Sequence, residues 1–473
     1  MNPATGDPGD PVVIASARDI SAAVASARAA FASWRDIGVE RRGELLRRAA
    51  DILEKEGDGI GAVITAEMGR PLAESVPEVT KSATFLRYFA DTARDALAPT
   101  PLDLAGLTLP EKKAHIRYEP RGVVAVVKPW NAPVQQVVWA LGPALVAGCT
   151  VIVKPSEYTP ASALALQSVF DRAGFPEGVV QTLPGDADTG RALLEHEVDM
   201  VAFTGSVASG RDVAATMGRK LRKCVLELSG KDALIVDPRV QGLDLVAAGI
   251  VYGAFSNCGH WCSSVERVFL PDTLADELTG RVVDLTRKLR VGPGASAGVD
   301  IGPVANRKQY EVVASIVDDA LARGARALTG GAPLSVPGHE GGLFYAPTVL
   351  VDVPADARLA RENVFGPVVA IHRFSDVREV LDQANDTSYG LGLSVWTDDP
   401  EFAEWAARGS DTGMVWVNEP LQSIAACPWS VCKDSGIGVE LGAAGVREFT
   451  YEKVVQAQFD GNHQTRPWYF PYS

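Results

Sequence analysis

From residue 122 onward the chain repeats one pattern, a short Val- and Ile-rich run followed by a stretch with apolar residues at helical spacing. The first runs fall at 123–127, 150–153, 179–183, 200–203 and 224–228. A strand with one wet face alternates apolar and polar side chains, whereas a strand covered on both faces stays apolar throughout. The pattern therefore predicts a parallel sheet with helices on either side, an α/β fold. A second series of strand candidates, at 234–236, 267–270, 349–353, 368–372, 393–396 and 414–417, predicts a second such sheet. In folds of this kind ligands bind in the crevice beyond the carboxyl ends of the strands. Ahead of both series, Ile20, Val24, Ala27, Phe31 and Trp34, then Leu45, Leu46, Ala49, Ile52 and Leu53, predict two helices that each bury one face. The segment 112–120 and the tail from 451 fit neither sheet.

A chain of 473 residues, 47% hydrophobic and 22% charged, is too long for a single core, so two or three domains are expected. The net charge of -14, with no cluster of Lys and Arg, argues against a nucleic-acid partner. No run of about 18 uncharged apolar residues occurs and no basic-then-apolar leader opens the chain, so neither a membrane span nor secretion is expected. Cys149, Cys224, Cys258, Cys262, Cys427 and Cys432 are too sparse for a disulfide scaffold and lack the spacing of a zinc site. Reduced thiols in the cytoplasm, with no bound metal, are expected.

Three turns punctuated by Gly or Pro carry chemistry: Pro129-Trp130-Asn131, Glu227-Leu228-Ser229-Gly230-Lys231, and Asn257-Cys258-Gly259-His260-Trp261-Cys262. An amide, a carboxylate and a thiol are the parts needed to oxidise an aldehyde through a covalent thioester. A thiolate converts a planar carbonyl into a tetrahedral adduct. Preset donors hold the oxyanion, and a base activates the water that hydrolyses the thioester. Cys258 and Cys262 both stand near enough to supply the thiol.

Taken with Lys154-Pro155-Ser156-Glu157, Phe203-Thr204-Gly205-Ser206 and Phe365-Gly366-Pro367, these motifs occur in the order that resembles the NAD(P)-dependent aldehyde dehydrogenase superfamily, from Asn2 to Gly436. The resemblance implies an aldehyde dehydrogenase-like α/β fold of two parallel-sheet domains with a small oligomerisation flap. It implies an NAD-binding domain of 1–101 and 121–229, a catalytic domain of 230–434, and an oligomerisation element of 102–120 and 449–473 in a homodimer or homotetramer. The Trp468-Tyr469-Phe470-Pro471-Tyr472 cluster of the tail reads equally well as a capping segment on its own subunit.

By the same resemblance the nucleophile is Cys262, three places after Gly259, with Asn131 and the Cys262 backbone N–H as oxyanion donors and Glu227 as the hydrolytic base. Pro129, Trp130, Lys154, Ser156, Glu157, Gly205, Ser206, Asn363 and Phe365 fall at cofactor-binding positions. Lys154 and Glu157 would meet the adenosine ribose, where a carboxylate repels a 2'-phosphate, so NAD is expected rather than NADP. Gln135, Gln136, Trp139, Trp261 and Trp429 fall at substrate-lining positions, and the two amides suit a compact or polar aldehyde.

Two departures from the family pattern stand out. Asn363 occupies the place of a carboxylate that holds the nicotinamide ribose, and Trp429-Ser430-Val431 replaces an aromatic-Gly-Gly turn. The expected function is oxidation of an aldehyde to the carboxylic acid with NAD. Its alternatives are a relative that passes the acyl group to coenzyme A, or a weakly catalytic member kept as a binding or structural protein.

Overall fold

The computed structural model describes residues 1–105, 112–420 and 422–458. The Trp468–Tyr472 cluster lies outside the described residues. Five strands of the first series form one parallel sheet in the order Lys223–Glu227, Met200–Thr204, Val123–Val127, Thr150–Lys154, Val180–Thr182. Val123–Val127 comes first in the chain yet lies in the middle, so the chain winds outward from it in both directions. The crevice beyond Val127 and Thr204 is therefore the topological switch point where an open parallel sheet accepts a ligand. Gly436–Ile437 returns late in the chain to add an antiparallel edge strand, pairing Gly436 with Glu227.

The second sheet has seven strands, in the order Arg326–Thr329, Thr348–Val351, Val368–Phe374, Val265–Pro271, Asp232–Val236, Gly392–Trp396, Met414–Val417. All of its pairings are parallel except that of Arg326–Thr329. Every residue of Thr150–Lys154, Met200–Thr204, Asp232–Val236, Val265–Pro271 and Gly392–Trp396 is buried, as strands covered on both faces require. Thr100–Leu102, Lys112–Pro120 and Thr450–Gln458 form a separate antiparallel sheet, which is where 112–120 and the start of the tail go.

Two helices do most to set the geometry at the switch point. Gln135–Ala147 is buried along its whole length, so its sequence is apolar all round and carries no amphipathic period. The 25-residue helix Leu72–Ala96 packs beside it and supplies its N-terminal cap. One Glu78 oxygen accepts the N–H groups of Val134 at 2.9 Å and Gln135 at 3.0 Å, which the first turn of a helix otherwise leaves unpaired. The other oxygen takes Arg70 at 2.5 Å. Arg70 also bonds Glu74 at 3.2 Å, and Glu74 accepts the N–H of Asn257 at 2.9 Å.

Replacing Glu78 by Ala should cost about 3–5 kcal/mol, the range for removing one member of a buried ion pair. Urea or thermal unfolding measures it, and an unchanged midpoint would show that the Gln135–Ala147 helix does not depend on this cap.

Candidate active site

Asn131 sits in the turn that follows Val123–Val127, and only 2% of it is exposed. Its amide Nδ2 donates to the His260 carbonyl at 2.9 Å, while the Asn257 Nδ2 donates back to the Asn131 carbonyl at 2.9 Å. A side-chain amide has two N–H donors, so one remains to Asn131 beyond its tie to His260. The loop on the other side of this lock is tightly wound: Asn257, Cys258 and Gly259 have φ of 51°, 55° and 71° in succession. Left-handed backbone is costly for residues with a Cβ and persists only where the surroundings enforce it. At Gly259 a Cβ would lie 2.1 Å from the Gly366 carbonyl oxygen, so only glycine lets the Phe365-Gly366-Pro367 turn approach this closely.

The loop delivers Cys262, 8% exposed, to Glu227, 1% exposed, at the end of the strand Lys223–Glu227. The Cys262 thiol and the Trp429 indole face the Glu227 carboxyl, although neither carboxyl oxygen gains a well-aligned hydrogen bond. Burial pushes the Glu227 carboxyl up to about 7; the thiol holds it down, Glu440 pushes it further up and Lys128 down. Burial, and then the Glu227 charge, pushes the Cys262 thiol well above its usual value. A base near neutrality beside a thiol held protonated can take that proton and later deprotonate a water. Cys258, the other thiol in reach by sequence, is buried, and its thiol is raised by burial and then by the Glu74 charge.

All nine residues expected at the cofactor wall one groove of about 930 Å³, which also reaches Asn131, Glu227 and Cys262. At one end Lys154 Nζ stands 4.0 Å from the half-exposed Glu157, beside buried Ser156. Midway, Ser206 caps the helix Val207–Arg219, accepting the Ser209 N–H at 3.2 Å, so the positive end of that helix faces the groove. At the other end Trp130 packs edge-on against Phe365 (ring centroids 5.4 Å apart) and His260 (4.8 Å). Burial pushes His260 down to about 3, so this ring stays neutral at physiological pH. A dinucleotide suits this groove: polar groups at a ribose-sized end, a helix N-terminus in the middle, and aromatic faces beside the thiol.

The five residues expected to line the substrate path do not wall this groove. Gln135 donates to Ser423 at 3.5 Å, and Gln136 accepts from Thr204 at 3.3 Å. Trp139 packs on Trp429 with ring centroids 5.0 Å apart, and Trp261 lies under the Arg70 guanidinium at 4.8 Å. Asn363 borders the groove, with its side-chain oxygen buried and unpartnered, and neighbouring Glu362 lines the same groove while pairing with Arg358 at 2.8 Å.

Several groups escaped the sequence reading. Lys128, next to Pro129, is fully buried and bonds Glu440 at 2.5 Å and Thr204 at 2.8 Å. A lysine closing an apolar strand was the one available signal. Glu266, paired with buried Lys231, accepts the N–H groups of Val364 at 2.9 Å and Phe365 at 3.1 Å. Gln309 donates to the carbonyls of the same two residues at 2.8 and 3.1 Å. Together they hold Phe365 at its left-handed φ of 49°.

Residues 1–455 match the model of the aldehyde dehydrogenase family. A succinate-semialdehyde dehydrogenase [NADP(+)] of Deinococcus radiodurans is 36% identical over 458 residues, 97% of this chain and 94% of that protein. The peroxisomal aminoaldehyde dehydrogenase 2 of Pisum sativum is 35% identical, covering 100% of this chain and 94% of its own. Among solved structures, betaine aldehyde dehydrogenase of Staphylococcus aureus in complex with NAD+ superposes with a TM-score of 0.94 at 30% identity, over 99% of this chain and 92% of that one. Similarity of this extent, in fold and along nearly the whole sequence, places the chain in the aldehyde dehydrogenase family, enzymes that oxidise aldehydes to acids with a nicotinamide dinucleotide.

Proposed function

We propose that this enzyme oxidises a compact or polar aldehyde to its carboxylic acid with NAD, using Cys262 as nucleophile, Glu227 as base and Asn131 as oxyanion donor. The observation that carries the reading is the meeting of the Cys262 thiol and the Glu227 carboxyl at the end of a dinucleotide groove. Glu227 takes the thiol proton as sulfur bonds the aldehyde carbon, and the second N–H of Asn131 and the Cys262 N–H receive the oxyanion. Bound in the groove, the dinucleotide supplies the hydride acceptor that turns this adduct into a thioester. Once Glu227 has passed the thiol proton to solvent it deprotonates a water, which bonds the acyl carbon as the carbon–sulfur bond breaks and the thiolate is released.

NAD is favoured over NADP because Glu157 presents its carboxylate to the groove, where a 2'-phosphate would be repelled. The amides of Gln135 and Gln136, close to Trp139 and Trp429, favour a compact or polar substrate. The first parallel sheet with its helices (1–101 and 121–229) is assigned to the cofactor, and 230–434 to catalysis. The antiparallel sheet within 102–120 and 449–473 is assigned to a homodimer or homotetramer contact. Tyr451 and Val454 on its outer strand are 44% and 54% exposed, as a subunit contact would require. Free exposed Cys427 and Cys432 suit the reducing cytoplasm.

A panel of short aldehydes, assayed for NADH with and without coenzyme A, tests the whole reading; acid formation that depends on coenzyme A would overturn it. Cys262→Ala should abolish NADH formation while NAD binding, measured by calorimetry, is kept. Glu227→Gln should release about one equivalent of NADH per site, more slowly than wild type because the thiol has lost its proton acceptor, and then stall with acyl mass on Cys262; turnover at the normal rate would remove the base from the scheme. The same variant lacks the charge that holds the thiol protonated, so alkylation of Cys262 by iodoacetamide should shift to lower pH. In Glu157→Gln the ratio of NADP to NAD use should rise, and an unchanged ratio would show that this carboxylate does not select the cofactor.

A further inference from the structure

Asp232 opens the strand Asp232–Val236 and is 4% exposed, and neither of its carboxyl oxygens has a hydrogen-bond partner of good geometry. It takes no part in the chemistry of Cys262, Glu227 and Asn131. A buried ionised carboxylate requires a cation or several donors. Both nearby cations are committed elsewhere. Lys231 pairs with Glu266, and Arg267 donates to the carbonyls of Lys231, Gln383 and Ala384. The other charged or titratable groups around it, Glu227, Glu266 and the Cys262 thiol, oppose a negative charge at this point. Tyr389 and Asp411 line a water-sized cavity beside it and bring no positive charge. From the neighbouring strand the Gly392 N–H faces the carboxyl.

The geometry shows what the carboxyl meets instead. A Cβ at Gly230 would lie 2.5 Å from Asp232 Oδ1 and 2.5 Å from the Cys262 carbonyl oxygen, so the two oxygens are no more than about 5 Å apart across that glycine. Two buried acceptors this close repel unless a proton lies between them.

We propose that Asp232 is a protonated carboxylic acid that donates its proton in a hydrogen bond to the Cys262 carbonyl, and so positions the nucleophile from behind. Desolvation raises the affinity of the carboxyl for that proton; the Gly392 N–H and Arg267 act against it, and Glu266 and Glu227 add to it. Asp232 is a positioning residue: it holds the backbone of Cys262 and adds no charge beside the thiolate. Glycine at 230 is required because any side chain would displace both oxygens. The inference rests on Cys262 being the nucleophile.

The test compares wild type, Asp232→Asn, which keeps an N–H donor where the acid has O–H, and Asp232→Leu, which keeps bulk but no donor. Infrared difference spectra of wild type and Asp232→Asn at neutral pH should show the loss of a protonated carboxylic acid; loss of an ionised carboxylate overturns the proposal. The pH midpoint for alkylation of Cys262, followed by peptide mass spectrometry, should stay unchanged in Asp232→Asn. A fall of about one pH unit or more would mean that an ionised carboxylate had been removed.

Asp232→Leu should lose about tenfold in kcat with NAD affinity intact, and Asp232→Asn should recover most of it. Equal kcat in all three proteins removes the positioning role. If Asp232→Leu fails to fold, the infrared and alkylation results on Asp232→Asn still decide the protonation state. Should Cys262 not be the nucleophile, Cys262→Ala would keep its turnover while the infrared result was unaffected, which separates the two failures.

Discussion

The buried ionic cluster Arg70–Glu74–Glu78 fixes where everything else in the site can be. Glu78 caps the helix after the Asn131 turn, and Glu74 takes the first N–H of the loop that leads to Cys262. Arg70 bonds both carboxylates and rests on Trp261, the residue before Cys262. Buried charges are held firmly only when all their bonding capacity is used, and two carboxylates sharing one guanidinium leave little freedom of rotation. Asn131 and Cys262 belong to different strands and loops, yet both are referred to this one cluster. Their separation is therefore set by the side chains of Arg70, Glu74 and Glu78.

The Glu227 carboxyl is governed by a different segment. The hairpin formed by Trp429–Ser430 and Val439–Glu440 pairs Trp429 directly with Glu440, and between them Gly436 pairs with Glu227 itself. One late excursion of the chain thus brings an indole, a second carboxylate and an edge strand to the Glu227 carboxyl. Glu440 raises Glu227 while Lys128, which neutralises Glu440, lowers it. Taken alone, burial would favour a permanently protonated acid and a nearby lysine a permanent carboxylate. With both present the group lies near 7, where it can take and release a proton within one turnover.

How far the sequence was legible depended on which constraints act locally. Strands buried on both faces have to be apolar throughout, so most of the parallel strands stood out by composition. The half-exposed edge strand Arg326–Thr329 did not. Turns at Asn131, Gly205 and Gly259 demand particular residues and could be read in the same way. Leu72–Ala96 was not picked out as a helix, since Pro77 and a polar outer face interrupt its pattern, and Gln135–Ala147 has no period because every side of it is buried. Least legible were the pairings at a distance. Lys128 and Glu440 are 312 positions apart, and neither residue type announces a partner. The place of Glu266 behind Phe365 was invisible for the same reason.

The approach of Gly259 to Gly366 explains why two turns from distant parts of the chain act as one body. With a Cβ excluded from the gap, the Cys262 loop rests on the backbone of the turn that carries Asn363 and Phe365. That turn is held from behind by Glu266 and from the side by Gln309. A displacement of the Phe365 turn must therefore move the thiol loop. Asn131 follows that loop, through its hydrogen bonds with His260 and Asn257 and through the shared Arg70–Glu74–Glu78 cluster. Glu227 ends a strand of the first sheet, so small changes in the packing between the sheets can alter its approach to the thiol without disturbing either sheet.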